Sequence, residues 1–253
     1  MCLLVVAWRM NPRYPLIVAA NRDEYHARAA APLQRWSDLT GLFAGRDLQA
    51  GGTWLGAGVG GHFGIVTNYR EPSRTVAAAP SRGGLIPGFF RSNECPGSYL
   101  NRVETDSVHM AGFSLLLSDG NELWYASNRS ECFARALPPG LYGLSNDLLD
   151  TPWPKVERLR AGLADWLRAA PLAEATLTDA TTPLFELLAD REPANTVDSE
   201  WSRILSAPFV AHAEYGTRCS TVALLGPHNN WIRERRFDAS AKACGETELR
   251  LND

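Results

Sequence analysis

Short apolar runs of strand type, joined by tight turns, constrain the fold of this chain most strongly. Two of them, Leu3–Trp8 and Leu16–Ala20, contain apolar residues without polar alternation. An antiparallel sheet with one wet face alternates apolar and polar residues, so these strands are expected to be buried on both faces. Because short turns between the runs imply antiparallel hairpins, two stacked sheets with helices outside satisfy both requirements. The runs are Leu3–Trp8, Leu16–Ala20, Phe63–Thr67, Phe113–Leu117, Leu123–Ala126, Thr221–Leu225 and Trp231–Phe237, with turn signals at Asn11-Pro12, Asp119–Asn121 and Pro227–Asn230.

Helical periodicity is confined to the middle of the sequence. Thr151 can cap a helix that begins at Pro152 or Pro154, and apolar residues then recur at helical spacing as far as Leu167. No internal repeat or linker divides the 253 residues, so a single domain over 1–253 is expected. Shorter helices are predicted over Pro183–Arg191 and near Gly84–Arg91, where Pro87-Gly88 interrupts the pattern, and Pro171–Thr182 is predicted to be a loop.

Composition and charge exclude several classes of partner. The chain has 25 Lys and Arg against 28 Asp and Glu, and a net charge of −3 gives no electrostatic reason to expect nucleic acid or an anionic membrane. No stretch approaches the length of a membrane span, and the first apolar run is too short for a signal peptide. We therefore expect a cytoplasmic chain without stable membrane insertion. Lys155 and Lys242 are the only lysines.

The cysteines, histidines and glycines contain no familiar cofactor motif. The five cysteines are widely spaced without a CxxC pair, which predicts free thiols in a reducing compartment. The histidines show no metal-ligand spacing, so no metal site is predicted. Gly56–Gly61 matches the spacing GxGxxG, but a strand follows it rather than a helix, which favours a glycine-rich hairpin turn.

Cys2 has a chemical possibility that the other cysteines lack. Methionine before a small residue is commonly removed after translation, and Cys2 would then carry both a thiol and a free α-amine. An amine with a pKa of about 7.7–8.0 can act at neutral pH as general base for a thiol with a pKa of about 8.5. The alternative is that Cys2 is a small apolar residue at the edge of a strand.

Polar side chains recur at the ends of the predicted strands. Asn21-Arg22-Asp23-Glu24 follows the second run, and a hairpin between the first two runs would place Asp23 close to Cys2. Each polar residue also has a structural explanation, because Asn caps turns and Asp and Arg pair on surfaces. Binding groups gather where a rigid scaffold ends, which favours a site here. The other segments of this kind are Thr67–Arg70, Gly143–Asn146 and Tyr215–Thr221.

Seven sequence blocks, spread from residue 2 to about residue 225, resemble the NRDE proteins, also called the transport and Golgi organisation family. That family has been linked to secretory organisation and mitochondria in animals, and to haem trafficking. The pattern also looks like the N-terminal-nucleophile (Ntn) amidohydrolases of the cholylglycine hydrolase and penicillin V acylase group. The blocks are Met1-Cys2, Asn21–Glu24, Gly51–Gly56, Thr67–Arg70, Ser81–Gly83, Gly143–Asn146 and Tyr215–Arg218.

The resemblance implies an α+β fold, a four-layer αββα sandwich of antiparallel sheets, and a set of site residues. Cys2 would be the nucleophile and Asp23 the partner of the α-amine. The group's usual Arg, three residues before that Asp, is Ala20 here, and Arg22 or Arg70 would have to supply the charge. The other candidates are Asn68 and Asn146 as oxyanion and amine-positioning groups, Arg218 near the thiolate, and Asn21, Arg22, Trp54 and Arg70 as binding residues.

Three functions follow as hypotheses. The first is a Cys-dependent hydrolase that cleaves a linear, non-peptide amide C–N bond of a small molecule and needs no cofactor. The second, from family resemblance alone, is a haem-binding or haem-trafficking protein in which Cys2, His26 or His62 binds iron. The third is a non-catalytic interaction protein that kept the fold.

Overall fold

Two antiparallel sheets and five α-helices make up the described part of the chain. The computed structural model describes residues 2–71, 80–169, 176–194 and 199–251. The helices are α1 (Leu85–Ser92), α2 (Pro96–Ser107), α3 (Pro154–Arg168), α4 (Leu177–Leu188) and α5 (Glu200–Leu205). The strands are β1 (Cys2–Trp8), β2 (Leu16–Tyr25), β3 (Ala30–Arg35), β4 (Phe43–Asp47), β5 (Leu55–Ala57), β6 (His62–Asn68), β7 (Phe113–Asp119), β8 (Leu123–Ser127), β9 (Ala134–Ala136), β10 (Gly140–Leu144), β11 (Tyr215–Leu225), β12 (Asn230–Phe237) and β13 (Ala243–Arg250).

The two sheets stack face to face between two layers of helices. The first sheet has the strand order β10-β1-β2-β11-β12-β13, and the second runs from β3 to β9 in sequence order. Alternate residues of β1 serve different layers: Leu4 packs toward the second sheet, whereas Leu3 packs toward α3 and α4. Helices α1 and α2 cover the other face of the second sheet. The four-layer αββα prediction is confirmed, and it explains why the first strands lack polar alternation.

The predicted strands and hairpins are present, and the structure adds six strands to them. The two runs at the amino terminus pair as the hairpin β1–β2, and the glycine-rich segment Gly56–Gly61 ends β5 and forms the predicted tight turn to β6. At Asp119–Asn121 the aspartate carboxylate accepts the backbone N–H groups of Asn121 and Glu122, and Gly120 has φ +88°. The strands that sequence patterning missed are β3, β4, β5, β9, β10 and β13.

The polar segment Asn21–Glu24 lies inside a strand rather than after one. Strand β2 continues to Tyr25 because β11 pairs with it on the side away from β1. The prediction that the strand ends before Asn21 is therefore wrong. Side chains of this segment must alternate between the two faces of the sheet, which decides what each of them contacts.

The helices differ from the predictions at two places. Helices α1 and α3 are found where predicted, and Pro87 is tolerated because it lies in the first turn of α1. Helix α4 begins at Leu177, so the predicted loop is wrong for 177–182, while 170–175 lie outside the described residues. Thr176 caps that helix by accepting the Asp179 backbone N–H at 3.2 Å. Helices α2 and α5 were not predicted.

No helix in the described ranges is long and apolar enough to cross a membrane.

Candidate functional site

A pocket of about 370 Å³ lies where β1 begins. Both sheets contribute to its walls, because the ends of β2, β4 and β6 converge there. Charged side chains make up much of the lining, and one thiol lies among them. The residues that matter most for chemistry are Cys2, Arg22, Asp23, Trp54, Asn68 and Arg82.

Cys2 occupies the first position of β1, directly opposite Arg22 of β2. Arg22 is in turn directly opposite Cys219 of β11, so the three residues form one row across three strands on the face toward the second sheet. Burial raises the pKa of the Cys2 thiol above its ordinary value. The positive amino terminus, the Arg22 guanidinium and a hydrogen bond from the Asp23 backbone oppose that shift. The Asp23 carboxylate acts with burial and also raises the pKa of this half-buried thiol.

Arg22 is 5% exposed and packs its guanidinium over Trp54, with 4.3 Å between the guanidinium carbon and the ring centre. Its Nη2 lies 4.0 Å from a Glu24 oxygen and 3.9 Å from an Asp47 oxygen. Its Nη1 is buried and has no hydrogen-bond acceptor among the described residues. A buried donor without an acceptor is costly, and here it lies beside the thiol in the pocket wall.

Asp23 is 1% exposed and points toward the helix layer, because it shares the face of Ala19 and Asn21. Its carboxylate accepts the Thr217 hydroxyl at 2.7 Å, and its backbone carbonyl accepts the Tyr215 hydroxyl at 2.9 Å. Burial raises the pKa of Asp23, and the amino terminus and Lys155 oppose the shift. The carboxyl group is therefore held rigidly behind the amino end of β1.

Asn21, a predicted binding residue, has its side-chain groups bonded within the fold. Its amide donates to the Leu188 carbonyl at 2.8 Å and the Pro208 carbonyl at 2.9 Å, and its oxygen accepts the Ser220 hydroxyl at 2.6 Å. These bonds attach β2 to the end of α4 and to the chain that follows α5. The structure places this amide in the helix layer rather than on the pocket wall.

The two predicted oxyanion residues lie together at the end of β6. Asn68 lines the pocket, and its backbone carbonyl accepts the Asn146 amide at 2.9 Å. Asn146 is buried next to Ser145, whose hydroxyl donates to the Cys2 backbone carbonyl at 3.1 Å. Asn146 therefore joins the two sheets beside the thiol, while the Asn68 side chain lies on the pocket wall.

Two predicted cations lie away from the pocket lining. Arg218 sits at a bulge in β11, where its Nη1 donates to the backbone carbonyls of Tyr25, His26 and Arg28 at 3.1–3.3 Å. Arg70 is exposed, and its backbone N–H donates to the Asn146 carbonyl. The cation directly opposite the thiol in the sheet is Arg22, not Arg218.

Sequence reasoning missed four charged residues at the site. Arg28 and Asp47 line the pocket and pair with a distance of 2.7 Å from Nε to Oδ2. Arg82 also lines it; burial lowers the Arg82 pKa, and the Cys2 thiol opposes that shift. The fourth, Lys155, lies behind the sheet. Signals existed for two of them, because Arg82 is in the Ser81–Gly83 block and Lys155 shares a helical face with Leu159.

Within the described ranges, no group of three or more His, Cys, Asp and Glu side chains is arranged to hold a metal ion. His26 has its Nε2 3.0 Å from the His212 carbonyl, and His62 stacks on Phe89 with ring centres 4.8 Å apart. Neither histidine is among the residues that line the Cys2 pocket.

One wall of the pocket depends on a close backbone contact between two glycines. A Cβ on Gly52 would overlap the carbonyl group of Gly83, and the adjacent Thr53 N–H donates to that carbonyl at 3.0 Å. We expect Gly52→Ala to lower the free energy of unfolding by about 1–3 kcal/mol, because the backbone must shift. Urea unfolding measures this loss. Gly84→Ala is the control, since no described atom lies within 4 Å of its Cβ, and an equal loss in both variants would contradict the contact.

The pKa of Cys2 gives a second measurable consequence. The midpoint of its alkylation by iodoacetamide against pH should lie above about 8.5, the value of an ordinary thiol, because burial disfavours the thiolate. Arg22→Gln should raise the midpoint further, since the Arg22 charge lowers it. Mass spectrometry of the tryptic peptide that ends at Arg9, which contains no other cysteine, follows the reaction. Arg218→Gln should leave the midpoint unchanged, and an equal shift in both variants would contradict this placement of Arg22.

Fold and site together define a class: four-layer αββα proteins in which a thiol begins a central strand at a charged pocket. The chain belongs to the Transport and Golgi organisation 2 family, whose sequence model matches residues 1–239. It is similar to the Transport and Golgi organization 2 homolog of Mus musculus, with 34% identity over 248 residues and 88% of each chain covered. The Bos taurus homolog is 35% identical over 249 residues, with the same coverage. The Drosophila melanogaster protein is 27% identical over 259 residues, covering 90% of this chain and 89% of its own.

A solved structure with a partly similar backbone is the Caenorhabditis elegans N-acylethanolamine-hydrolyzing acid amidase ortholog. The alignment covers 88% of this chain and 92% of that one, with a TM-score of 0.40 and 11% sequence identity. A likeness of this strength supports no inference about chemistry.

Proposed function

We propose that this protein is a Cys-dependent amidohydrolase that cleaves a linear amide C–N bond, with Cys2 as nucleophile and first residue of the mature chain. The observation that carries the proposal is the placement of the Cys2 thiol in the pocket wall, opposite Arg22 and hydrogen-bonded by the Asp23 backbone. A half-buried thiol that faces a cation in the wall of a pocket is an arrangement suited to nucleophilic catalysis.

The reaction follows from these positions. With Met1 removed, the α-amine of Cys2 takes the thiol proton while Sγ attacks the substrate carbonyl carbon. The tetrahedral intermediate collapses, the C–N bond breaks, and the amine returns the proton to the leaving nitrogen. Water then gives a proton to the α-amine and attacks the thioester carbonyl carbon. The C–S bond breaks, the amine returns the proton to Sγ, and a carboxylic acid is released with the thiol restored. Because burial raises the pKa of the thiol, the proposed mechanism uses a base that acts at the moment of attack, and Asp23 would pair with the resulting ammonium.

The oxyanion needs donors aimed at the reacting carbonyl. Arg22 supports this role, because its buried Nη1 has no acceptor among the described residues and it shares the pocket wall with Cys2. Asn68 is the second donor on the wall. In the amidohydrolases that the sequence resembles, an Arg at the position of Ala20 supplies the positive charge. In this protein Arg22 would supply it.

The experiment that tests the proposal compares two amino termini. A cleavable fusion that leaves Cys2 as first residue should turn over a panel of N-acyl amides. A chain with one Lys inserted between Met1 and Cys2, which blocks methionine removal, should be inactive because no α-amine is on the nucleophile. Intact mass verifies both products. Equal turnover by the two chains would overturn the proposal, and circular dichroism checks that both are folded.

Haem binding is not favoured by a specific feature of the site. The histidines named for it, His26 and His62, lie away from the Cys2 pocket and make other contacts. We therefore propose no haem site. A titration with haemin at micromolar protein checks this, and a saturable Soret shift lost in Cys2→Ala would contradict it.

A further inference from the structure

Guanidinium groups outnumber the carboxylates that face them in the Cys2 pocket. Among the described residues that line it, three arginines and two acids have their charged groups together on the wall. A third acid, Asp23, borders the pocket, but its carboxylate accepts the Thr217 hydroxyl in the helix layer. The arginines are Arg22, Arg28 and Arg82, and the acids on the wall are Glu24 and Asp47.

The two acids on the wall pair with the same two arginines. Asp47 Oδ2 lies 2.7 Å from Arg28 Nε and 3.9 Å from Arg22 Nη2. Glu24 Oε2 lies 3.9 Å from Arg28 Nε and 4.0 Å from Arg22 Nη2. Among the ion pairs of the described residues, neither acid reaches Arg82.

Arg82 is therefore the cation of the pocket that lacks a carboxylate. Within the described ranges, its side chain makes one hydrogen bond, from Nη1 to the Gly112 carbonyl at 2.8 Å. Glu71 accepts the Gly112 backbone N–H, but its carboxylate pairs with Arg129. The adjoining sequence 72–79 contains no Asp or Glu. Because a guanidinium has five N–H donors, most of those on Arg82 are available to an acceptor in the pocket.

The turn that contains Arg82 is anchored next to the pocket. The Gly83 carbonyl accepts the Thr53 backbone N–H at 3.0 Å. Burial lowers the pKa of Arg82, and Cys2 opposes this more than any other group, which agrees with a position near the thiol. Arg22 lines the same pocket from the first sheet, and its buried Nη1 also lacks an acceptor among the described residues. Two guanidinium groups with unused donors thus border one pocket.

We propose that the substrate of this site is an anionic amide and that Arg82 is the specificity-determining residue, which binds a carboxylate close to the scissile bond. A guanidinium binds a carboxylate through two parallel N–H···O bonds, which adds geometric selection to charge. A pocket of about 370 Å³ with this lining favours a small charged substrate over a long neutral acyl chain. The inference rests on the proposed function for its meaning in turnover, but the preference for an anion can be measured without turnover.

Alkylation of Cys2 by two reagents of similar size measures the preference. Iodoacetate has a carboxylate on the carbon that the sulfur attacks, whereas iodoacetamide is neutral. Both react with the thiolate, so the ratio of their rates is independent of the thiol pKa. We expect Arg82→Gln to lower the iodoacetate to iodoacetamide ratio at Cys2 about tenfold, because a charged hydrogen-bond donor is lost. The ratio at the exposed Cys95, read from the same digest, should not change.

Arg91→Gln is the matched control, because it removes an equal charge from an exposed position of α1 outside the pocket lining. It should leave the ratio at Cys2 unchanged, and Arg82→Lys, which keeps the charge, should retain part of the preference. A ratio that Arg82→Gln leaves unchanged would overturn the inference. Equal decreases in Arg82→Gln and Arg91→Gln would also overturn it, since they would show a long-range charge effect.

A second measurement needs no variant and therefore does not depend on the folding of Arg82→Gln. At equal ionic strength, propionate should protect Cys2 of the parent chain from iodoacetamide at lower concentration than propionamide does. Equal protection by the acid and the amide would contradict an anion site. Neither measurement requires amidase activity, so a failure here is distinguishable from a failure of the proposed function.

Turnover identifies the side of the amide on which the carboxylate lies. N-phenylacetylglycine has it on the amine side and N-phenylsuccinamic acid on the acyl side, and each is compared with its primary carboxamide. At least one acid should exceed its neutral partner about tenfold in kcat/KM, and Arg82→Gln should remove that advantage mainly through KM. Faster hydrolysis of the neutral partner in both pairs would overturn the substrate class.

Discussion

Replacing Cys2 by Ala is expected to abolish amide turnover, with a loss of about 10⁴-fold or more, because Cys2 is the one thiol among the described residues that line the pocket. The variant should remain folded, since Cys2 is at the edge of β1 and its backbone carbonyl still accepts the Ser145 hydroxyl. Trapping with an activated N-acyl substrate and intact mass should show an acyl adduct on the parent chain and none on the variant.

The matched control is Cys95→Ser, which changes an exposed thiol and should retain full activity. Residual turnover by Cys2→Ala within tenfold of the parent would mean that the nucleophile lies elsewhere. A loss in both cysteine variants would indicate a folding effect rather than a catalytic one.

The second large effect concerns stability. Asn21→Ala should lower the free energy of unfolding by about 3 kcal/mol or more, because it leaves two buried backbone carbonyls and the Ser220 hydroxyl without their partner. Urea unfolding followed by tryptophan fluorescence measures the change. The loss should also weaken the attachment of β2 to the chain around Pro208, beside the site.

Ser220→Ala is the graded control, since it removes one of the three hydrogen bonds. We expect it to cost about 1 kcal/mol. If Asn21→Ala is as stable as the parent but loses ligand binding, Asn21 is a binding residue and its assignment to the scaffold is wrong.

The fold could be predicted from sequence because unbroken apolar runs such as Leu3–Trp8, which are short and bounded by turn signals, favour strands covered on both faces. The edge strand β13 was not predicted, because its solvent-exposed residues form no apolar pattern. Strand β3 was not predicted for a similar reason, since only one of its six residues is buried. Such strands are defined by a neighbour in space rather than by their own composition.

The site was readable only in part. A hairpin between the first two runs sufficed to bring Asp23 beside Cys2, because hairpin register is a local property. The identity of the side chain opposite Cys2 could not be predicted, because it depends on the full length of β2. The pairing with β11 that extends β2 is non-local. The resemblance implied that Arg218 lies near the thiolate. The bulge at Thr217/Cys219 instead directs the Arg218 guanidinium to the backbone carbonyls of Tyr25, His26 and Arg28.

Lys155 was visible as a residue but not as part of a site. Nothing within α3 indicates that the sheet behind it contains the buried carboxyl group of Asp23. Only the packing of α3 on the first sheet brings the two charges into one layer.

The row of Cys2, Arg22 and Cys219 across three strands also limits which oxidation products Cys2 can form. Two strand spacings, about 9.5 Å, separate the Cα positions of the two thiols, and a disulfide requires less than about 7 Å. Arg22 thus keeps Cys2 from being locked by the other sulfur in its row. A sulfenic acid formed on Cys2 could then be capped reversibly only by a small thiol, and without that cap further oxidation to a sulfinic acid would be irreversible.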